Sequence, residues 1–299
     1  MRSRITVGIA VCWLLAGSAG LRAEDKFFDS NGVKIHYIIE GKGIPVILVH
    51  GFAANIQMNW AVPGVVKALA KNYQVIALDN RGHGLSDKPH DVKKYGLEMV
   101  EDIVRLMDHL KIKKAHVVGY SMGAMIVNKL LATHPDRLLS ATLGGGAATK
   151  QEGDARFIKD LTESLDQGRG IAPVMLALTP PGHPKPTPEQ LKFLNLGIMK
   201  FNDAQALSAL VRGWLELAVT PEDLKANKVP TLALVGSLDT LKSRVDALKG
   251  RMPHLKIVVI DGADHMNAVF RPEFIKNLQQ FLAKHGPNAK KLQPATTGR

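Results

Sequence analysis

The sequence predicts an α/β fold: a mostly parallel, doubly wound β-sheet with helices on both faces and an inserted helical segment. Between residues 44 and 146, continuous apolar runs alternate with amphipathic stretches, which is typical of buried parallel strands and their crossover helices. No strand pattern occurs between residues 147 and 219. The strand and helix alternation then resumes and continues to residue 285.

This interruption in the alternation of strand and helix patterns predicts the domain organisation. The core is expected in two parts, residues 24–146 and 220–285, with a helical cap at residues 147–219 between them. Residues 286–299 are polar and are predicted to form a flexible C-terminal tail.

The N-terminal residues carry the pattern of an export signal. A short basic region is followed by an apolar run, Ile5–Leu15, and then by small residues as far as Ala23. This order predicts a signal peptide over residues 1–23 and a secreted or periplasmic protein, without stable membrane insertion after cleavage. Cleavage after Ala19 and an uncleaved anchor remain alternatives, although the run is short for a membrane span.

Charge and cysteine content exclude some classes of function. The formal charge of the chain is +12, and removal of residues 1–23, which hold three arginines and no acid, leaves +9. The basic residues are scattered without aromatic interleaving, so a solvated surface is predicted and no nucleic-acid partner. The only cysteine, Cys12, lies in the predicted signal peptide, so the exported chain has no disulfide or thiol chemistry.

The strands are predicted from apolar runs bounded by turn residues. The first two flank Asn31-Gly32, a hairpin signal, and antiparallel pairing is expected there. The later runs are apolar throughout, which indicates strands buried on both faces. The predicted strands are 26–30, 34–40, 44–49, 74–78, 115–119, 138–143, 230–236 and 255–260.

The helices are predicted from apolar residues at helical spacing and from start signals. The stretch Leu97–Leu110 has a regular apolar stripe, and Thr187-Pro188-Glu189 is a good helix start. The predicted helices are 60–71, 97–110, 121–134, 154–165, 171–178, 187–199, 203–217, 241–249 and 272–284, with a short one from Thr220.

A strand-to-helix turn with a serine at its centre lies at Gly119–Gly123. The apolar strand before it and the helical pattern after it place Ser121 on a sharp turn that needs small flanking residues. The hydroxyl of Ser121 would then be exposed at the carboxyl edge of the sheet, which is where open parallel sheets hold their active sites. Ser121 is therefore predicted to be a nucleophile.

Two later strand ends supply the residues that such a serine needs. Asp239 follows one strand and His265 follows the last one, in the chain order Ser, Asp, His. His265 would accept the proton of Ser121 and later return it to the leaving group. Asp239 would hold the imidazole in the correct tautomer and stabilise the imidazolium.

The segment His50-Gly51-Phe52 ends another strand and predicts an oxyanion hole. Gly51 lets the backbone turn so that the N–H of Phe52 faces the substrate, and the N–H of Met122 would be the second donor.

Together these motifs resemble those of the α/β-hydrolase superfamily, over essentially the whole mature chain. The resemblance is carried by His50–Phe52, Asp79–Ser86, Gly119–Gly123, Gly236–Asp239 and Gly262–Met266, in this order along the chain. It implies an eight-stranded core, a helical cap inserted after the sixth strand, and hydrolysis through an acyl-serine.

Other assignments of the acid are weaker. The strand after the nucleophile helix, which supplies the acid in some relatives, ends here in Gly144–Gly146 without a carboxylate. Asp264 neighbours His265 in sequence, but side chains of adjacent residues usually diverge. Asp239 is therefore the predicted acid.

The remaining histidines point to structure rather than to metal binding. His50 is interpreted as a hydrogen-bonding residue behind the oxyanion loop, with substrate contact as the alternative. Arg81 and His83 belong to a turn that is expected to tie loops together. No metal-binding spacing is present, so no metal and no cofactor are predicted.

The serine restricts the chemistry that the resemblance allows. Haloalkane dehalogenases and epoxide hydrolases of this fold use an aspartate nucleophile, and hydrolases of ring-cleavage products usually have Trp where this chain has Met266. The prediction is a carboxylic ester hydrolase of the esterase or lipase type. The alternatives are a cofactor-free perhydrolase, an aminopeptidase, a C–C hydrolase, or a non-catalytic ligand-binding member of the fold.

The expected partner is a small-molecule ester with a short to medium acyl chain. Some apolar cap residues are expected to line the acyl pocket together with Phe52 and Met122, although for any single one of them ordinary core packing is the favoured interpretation. The residues predicted to bind substrate are Phe52, Met122, Met175, Phe193 and Trp214.

Overall fold

The computed structural model describes residues 24–286, which form one eight-stranded sheet with the strand order β1-β2-β4-β3-β5-β6-β7-β8. The first two strands pair antiparallel, β2 also pairs antiparallel with β4, and the remaining pairs are parallel. The strands are β1 Lys26–Asp29, β2 Lys34–Glu40, β3 Ile44–Val49, β4 Tyr73–Leu78, β5 Ala115–Tyr120, β6 Leu138–Gly144, β7 Thr231–Gly236 and β8 Leu255–Ile260.

Helices cover both faces of this sheet, which confirms the predicted fold class. Successive strand residues point to opposite faces, so Ile47 and Val117 pack in one hydrophobic cluster while Leu48 and Val118 pack in another. The α-helices are α1 Val65–Leu69, α2 Leu97–His109, α3 Met122–Thr133, α4 Asp154–Asp166, α5 Ala172–Ala177, α6 Pro188–Met199, α7 Ala204–Arg212, α8 Pro221–Ala226, α9 Lys242–Asp246 and α10 Pro272–Lys284.

The strand register brings the chemically interesting strand ends to one edge. Val49 at the end of β3 pairs with Gly119 of β5, and Tyr120 pairs with Gly144 of β6. On the other side of β6, Gly236 at the end of β7 pairs with Ile260 at the end of β8. The segments that follow β3, β5, β7 and β8 therefore begin at the same carboxyl edge of the sheet.

The helices α4 to α7 all lie between β6 and β7, within the segment predicted as a helical cap. An isolated parallel bridge between Thr149 and Val219 joins the two ends of this segment. Leu161 of α4 and Leu210 of α7 are fully buried and belong to the same hydrophobic cluster as the core helices α2 and α3. The inserted helices are thus packed on the sheet domain. Below we call residues 147–219 the cap.

Two helix predictions differ from the structure. The predicted helix 203–217 ends as an α-helix at Arg212 and is followed by a 3-10 turn, Trp214–Leu217. Residues 60–71 do not form a continuous helix but a π-helical turn, Gln57–Ala61, followed by the short helix α1. Pro63 and Gly64 separate the two, and Gly64 adopts a left-handed φ of 81°. The stretch resembles one helix in sequence because two different elements each bury an apolar residue in the same place. Trp60 and Val65 both belong to the buried cluster that also contains residues of α10.

The predicted signal peptide, residues 1–23, and most of the predicted tail lie outside the described residues. Within residues 24–286, no helix combines the length and the apolarity that crossing a bilayer requires.

A buried ion pair ties the loop after β4 to helix α2. The Arg81 guanidinium donates two hydrogen bonds to the Asp102 carboxylate, at 2.7 Å from Nε to Oδ2 and 2.6 Å from Nη2 to Oδ1. Both side chains are essentially inaccessible, and Arg81 also donates to the carbonyl of Lys94 at 2.6 Å. This bidentate contact holds the Asp79–Ser86 turn, which contacts the loop after β3.

We therefore expect Asp102→Asn to lower the free energy of unfolding by about 3–5 kcal/mol, because it removes the buried carboxylate that is hydrogen-bonded to Arg81 and leaves only the more exposed Glu98, 3.6 Å away, as a counter-ion. Urea unfolding followed by circular dichroism measures this change.

The matched control is Asp246→Asn, which breaks the exposed Lys242–Asp246 pair within α9 and is expected to cost less than about 1 kcal/mol. Equal losses in the two variants would contradict a structural role for the buried pair.

Candidate active site

Ser121 occupies the strand-to-helix turn in a strained backbone conformation. Its φ is 54° and its ψ is −117°, which residues with a β-carbon rarely adopt. The strand β5 and the helix α3 approach each other closely at this turn, so the residues on either side of the serine must be small. A β-carbon added at Gly119 would clash with the Gly123 carbonyl, and one added at Gly123 would clash with the Val49 carbonyl. The two glycines are thus required by contact, as the sequence predicted.

The three residues predicted as a catalytic triad lie in one hydrogen-bonded row. His265 Nε2 is 2.9 Å from Ser121 Oγ, and His265 Nδ1 is 3.0 Å from Asp239 Oδ2 and 3.1 Å from Oδ1. A carboxylate only accepts hydrogen bonds, so the Nδ1–H donates to Asp239 and Nε2 is left to accept from the serine hydroxyl. Asp239 and His265 are buried, whereas Ser121 is partly exposed. The arrangement can remove the proton of Ser121 during nucleophilic attack.

Backbone contacts fix the acid and the base in place. Asp239 Oδ1 accepts a hydrogen bond from the Leu241 N–H at 2.8 Å, so the loop after β7 orients the carboxylate. The Tyr120 hydroxyl donates to the His265 carbonyl at 2.6 Å, and its ring centroid lies 5.6 Å from that of His265. Burial raises the pKa of Tyr120 well above its usual value, with Asp239 and Asp264 adding to the effect. The hydroxyl therefore stays protonated and remains a donor.

The loop after β3 lies directly against the serine. A β-carbon on Gly51 would be 3.2 Å from Ser121 Cβ. The Gly51 N–H donates to Asn59 Oδ1 at 2.8 Å, and the Ala53 N–H donates to His83 Nε2 at 3.0 Å. Along the chain, the N–H of Phe52 lies between the N–H groups of Gly51 and Ala53, both of which are hydrogen-bonded. Below we call residues 51–54 the oxyanion loop, after the donor that the sequence predicts at Phe52.

Both predicted oxyanion donors are available. Within residues 24–286, neither the Phe52 N–H nor the Met122 N–H has a protein acceptor. Met122 is the first residue of α3, where a helix leaves its amide groups unpaired and carries a partial positive charge. The geometry therefore offers two backbone donors beside Ser121.

Two buried histidines, His50 and His83, form hydrogen bonds with the backbone of the oxyanion loop. His50 Nε2 accepts from the Asn80 N–H at 2.9 Å, and His50 Nδ1 lies 2.7 Å from the Gly51 carbonyl, to which it donates. Burial lowers the pKa of His50, and burial, reinforced by the nearby His50, lowers that of His83 to about 3. Both rings are thus neutral and act as fixed hydrogen-bonding groups. These contacts agree with the structural interpretation of His50 and of the Arg81 and His83 turn.

The structure brings only some of the predicted substrate-binding residues together. Phe52 and Trp214 meet edge to face with ring centroids 5.1 Å apart, and Phe157 of α4 stacks against Trp214 at 6.4 Å. Met122 is 2 % exposed, so its side chain is part of the core. Met175 is half-buried and packs on that core. Phe193 is 72 % exposed on α6 and does not join this cluster.

The competing residues have other roles. Asp264 accepts hydrogen bonds from the N–H groups of Met266 and Asn267, both at 2.9 Å, and so closes the turn that presents His265. Among the described residues, no cluster of His, Cys, Asp and Glu has an arrangement that could hold a metal ion.

Three residues that support the site were not predicted from the sequence: Tyr120, Asn59 and Asn202. Tyr120 lies inside the Gly-x-Ser-x-Gly motif, where a bulky residue before the serine was a usable signal. Asn59, eight residues after Gly51, and Asn202, from the cap, both contact the oxyanion loop, and no local pattern marks them. Their roles follow only from the folded chain.

The comparison with known families agrees with this geometry. The family model of the alpha/beta hydrolase fold matches residues 44–272, which is more than half of the 299-residue chain. The chain belongs to the α/β-hydrolase fold family.

Its relatives have several activities. The chain is 28 % identical over 252 residues to the dihydrolipoyllysine-residue acetyltransferase component of the acetoin cleaving system of Pseudomonas putida; this covers 81 % of the chain and 64 % of that protein. The chain thus spans less than two thirds of that relative. It is 28 % identical over 268 residues to the pimeloyl-[acyl-carrier protein] methyl ester esterase of Aeromonas hydrophila subsp. hydrophila, covering 81 % of the chain and 96 % of the esterase.

Among solved structures, the enol-lactonase from Burkholderia xenovorans LB400 is similar over its whole length. Its TM-score is 0.70 at 26 % sequence identity, and the match covers 86 % of this chain and 100 % of the lactonase.

The low pKa of His83 gives a prediction about stability and pH. The unfolded chain binds a proton at this histidine below about pH 6.5, whereas the folded chain does not until about pH 3. Unfolding therefore takes up a proton in this window, and stability falls as the pH falls, by up to about 1.4 kcal/mol per pH unit from this group.

The variant His83→Gln keeps an acceptor for the Ala53 N–H but does not titrate. We expect its free energy of unfolding to fall less steeply than that of the wild type between pH 6 and pH 4. Urea unfolding at several pH values measures both slopes, and other titrating groups cancel in the difference. Parallel curves would show that His83 is not held neutral.

Proposed function

We propose that the protein is a serine hydrolase that cleaves carboxylic esters through an acyl-serine intermediate. The observation that carries the proposal is the hydrogen-bonded row from Asp239 through His265 to Ser121, with two unpaired backbone N–H groups beside the serine. A nucleophile, a base with its orienting acid, and an oxyanion hole are the groups that acyl transfer requires.

The first half of the proposed reaction forms the acyl-serine. Ser121 Oγ attacks the ester carbonyl carbon while its proton moves to His265 Nε2. The carbonyl oxygen becomes an oxyanion, to which the N–H groups of Phe52 and Met122 donate. The intermediate collapses, the carbon–oxygen bond to the alcohol breaks, and His265 returns the proton to the departing oxygen. Asp239 stabilises the imidazolium that exists between these two transfers.

The second half releases the acid. A water molecule attacks the acyl-serine carbonyl and gives a proton to His265 Nε2, through a second oxyanion in the same hole. When this intermediate collapses, the bond to Ser121 Oγ breaks and the proton returns to the serine. The carboxylic acid leaves and the starting state is restored.

The similarity to a methyl ester esterase and to an enol-lactonase supports ester bonds as the substrate class, since a lactone is a cyclic ester. The apolar contact of Phe52 with Trp214 supports an apolar acyl group, because these rings lie where the cap meets the oxyanion loop. We therefore favour small esters with short to medium acyl chains over perhydrolase, aminopeptidase or carbon–carbon bond hydrolysis, which the same three residues could also serve.

A panel of p-nitrophenyl esters tests this function. We expect hydrolysis by the wild type and a loss of kcat of about 10⁴-fold or more in Ser121→Ala, because the nucleophile is removed. Ser243→Ala, which alters an exposed serine on α9, is expected to keep its activity. An inactive wild type, or undiminished hydrolysis by Ser121→Ala, would contradict the proposal.

We also propose that residues 1–23 direct export and are then removed. Expression of the full chain in a bacterium, followed by the intact mass of the periplasmic protein, tests this. We expect a chain that begins at Glu24, and a cut after Ala19 would correct the boundary. A variant lacking residues 2–23 should stay in the cytoplasm with the same esterase activity. Recovery of the full-length chain from the membrane would contradict cleavage.

A further inference from the structure

The turn between α6 and α7 in the cap contacts the backbone of the oxyanion loop. Asn202 in this turn donates from Nδ2 to the Ala53 carbonyl at 3.2 Å and to the Ile198 carbonyl at 2.9 Å. Ala53 directly follows Phe52, whose N–H is the proposed oxyanion donor. A cap side chain is therefore one residue away from the group that would bind the reacting carbonyl.

The orientation of the Asn202 amide is determined by its partners. Two carbonyl oxygens can accept only from the NH₂ end, so Nδ2 faces both of them and Oδ1 points away. Oδ1 is buried and has no partner among the described residues. A buried unpaired acceptor is destabilising, and an apolar side chain here would avoid that cost. The benefit of an asparagine at this position is therefore the pair of hydrogen bonds that its Nδ2 donates.

These contacts matter because the backbone at Ala53 is strained. Its φ is 53°, in the left-handed region that residues with a β-carbon disfavour. His83 holds the peptide group before Ala53 through its N–H, and Asn202 holds the peptide group after it through its carbonyl. The remaining turn bond, from the Ala54 N–H to the Gly51 carbonyl, is long at 3.4 Å, so we expect loss of either contact to let Ala53 relax toward a negative φ. That relaxation would turn the adjoining peptide groups and displace the N–H of Phe52.

Trp214 makes the second cap contact with this loop, but of a different kind. Its ring packs on the side chain of Phe52, with centroids 5.1 Å apart, and it does not hold the backbone. We expect a change at Trp214 to alter the apolar surface beside Phe52, and so the binding of the acyl group. A change at Asn202 alters the position of a donor that acts on the transition state.

We propose that Asn202 is a positioning residue: it fixes the oxyanion loop through the Ala53 carbonyl, so that the cap sets the geometry of the oxyanion hole. The inference rests on the part of the proposed function that makes Ser121 a nucleophile with an oxyanion hole beside it. It extends that function by making the cap a determinant of kcat as well as of substrate choice.

Kinetics of Asn202→Ala on a p-nitrophenyl ester test the inference. We expect kcat to fall about tenfold or more with KM nearly unchanged, since misplacement of a catalytic group by a fraction of an ångström to an ångström has effects of this size. Asn202→Asp keeps the shape of the side chain, but its carboxylate cannot donate at pH 8, so it should show the same loss. Thermal unfolding establishes that each variant is folded.

Asn195→Ala is the matched control. Asn195 is also a cap asparagine on α6, and its Oδ1 accepts one hydrogen bond from the Ile171 N–H at 2.9 Å. That contact lies within the cap and does not reach the oxyanion loop. We expect kcat of Asn195→Ala to stay within about twofold of the wild type, because the oxyanion donors keep their positions.

A trifluoromethyl ketone inhibitor separates a role in the oxyanion hole from a general structural role. Such a ketone adds to the serine and places an oxyanion in the hole. For Asn202→Ala, the inhibition constant should rise by the same factor by which kcat/KM falls. An unchanged inhibition constant with reduced kcat would overturn the assignment to the oxyanion hole.

The rate of Ser121 labelling by a fluorophosphonate separates this inference from the proposed function. If the wild type hydrolyses no ester but labels, and Asn202→Ala slows labelling while Asn195→Ala does not, the inference stands and the ester hydrolase proposal fails. If the wild type hydrolyses esters and the two asparagine variants behave alike, the inference fails and the function stands. If the wild type neither hydrolyses nor labels, both fail.

Discussion

The site depends on one constraint, the close approach of β5 and α3 around Ser121. The serine can keep its strained backbone only because the surrounding contacts leave no room to relax. The Gly123 and Val49 carbonyls occupy the space next to Gly119 and Gly123, so that larger residues would separate the strand from the helix. The same approach places the first amide of α3 beside the serine oxygen. One packing arrangement therefore exposes the proposed nucleophile and supplies a proposed oxyanion donor.

The site also depends on two buried histidines that are neutral. His50 and His83 lie close behind the oxyanion loop, with ring centroids 5.1 Å apart, and burial keeps both uncharged. A charged ring there would lose the acceptor on which the Asn80 or Ala53 N–H depends. His265 differs because it faces a carboxylate on one side and the serine hydroxyl on the other. The same residue type is thus structural in one loop and suited to proton transfer in the next, according to its partners.

The cap contacts the site in two ways, and they have different consequences. Trp214 and Phe157 extend an aromatic wall from Phe52, whereas Asn202 contacts the oxyanion loop backbone. Our proposals therefore link substrate choice and the placement of the proposed oxyanion donor through one inserted segment. In a fold family whose members share the sheet and differ in activity, such contacts give variation in the inserted helices a direct route to the reacting atoms.

The sequence by itself determined the sheet, the order of its elements and the three residues at its carboxyl edge. Those signals are local: apolar runs, helical periodicity, and motifs at strand ends that the parallel register brings to one edge. It also predicted the elbow glycines, because a turn this tight leaves few residue types. Only the tertiary structure decided the interruption at Gly64, the exposure of Phe193, and the supporting contacts of Asn59 and Asn202. The exposure of Phe193 and the contact of Asn202 depend on how distant segments meet across the fold, and the sequence pattern records each segment's own periodicity but not its distant partner. The interruption at Gly64 and the contact of Asn59 are more local, but apolar spacing does not distinguish one continuous helix from two elements that are buried in the same cluster.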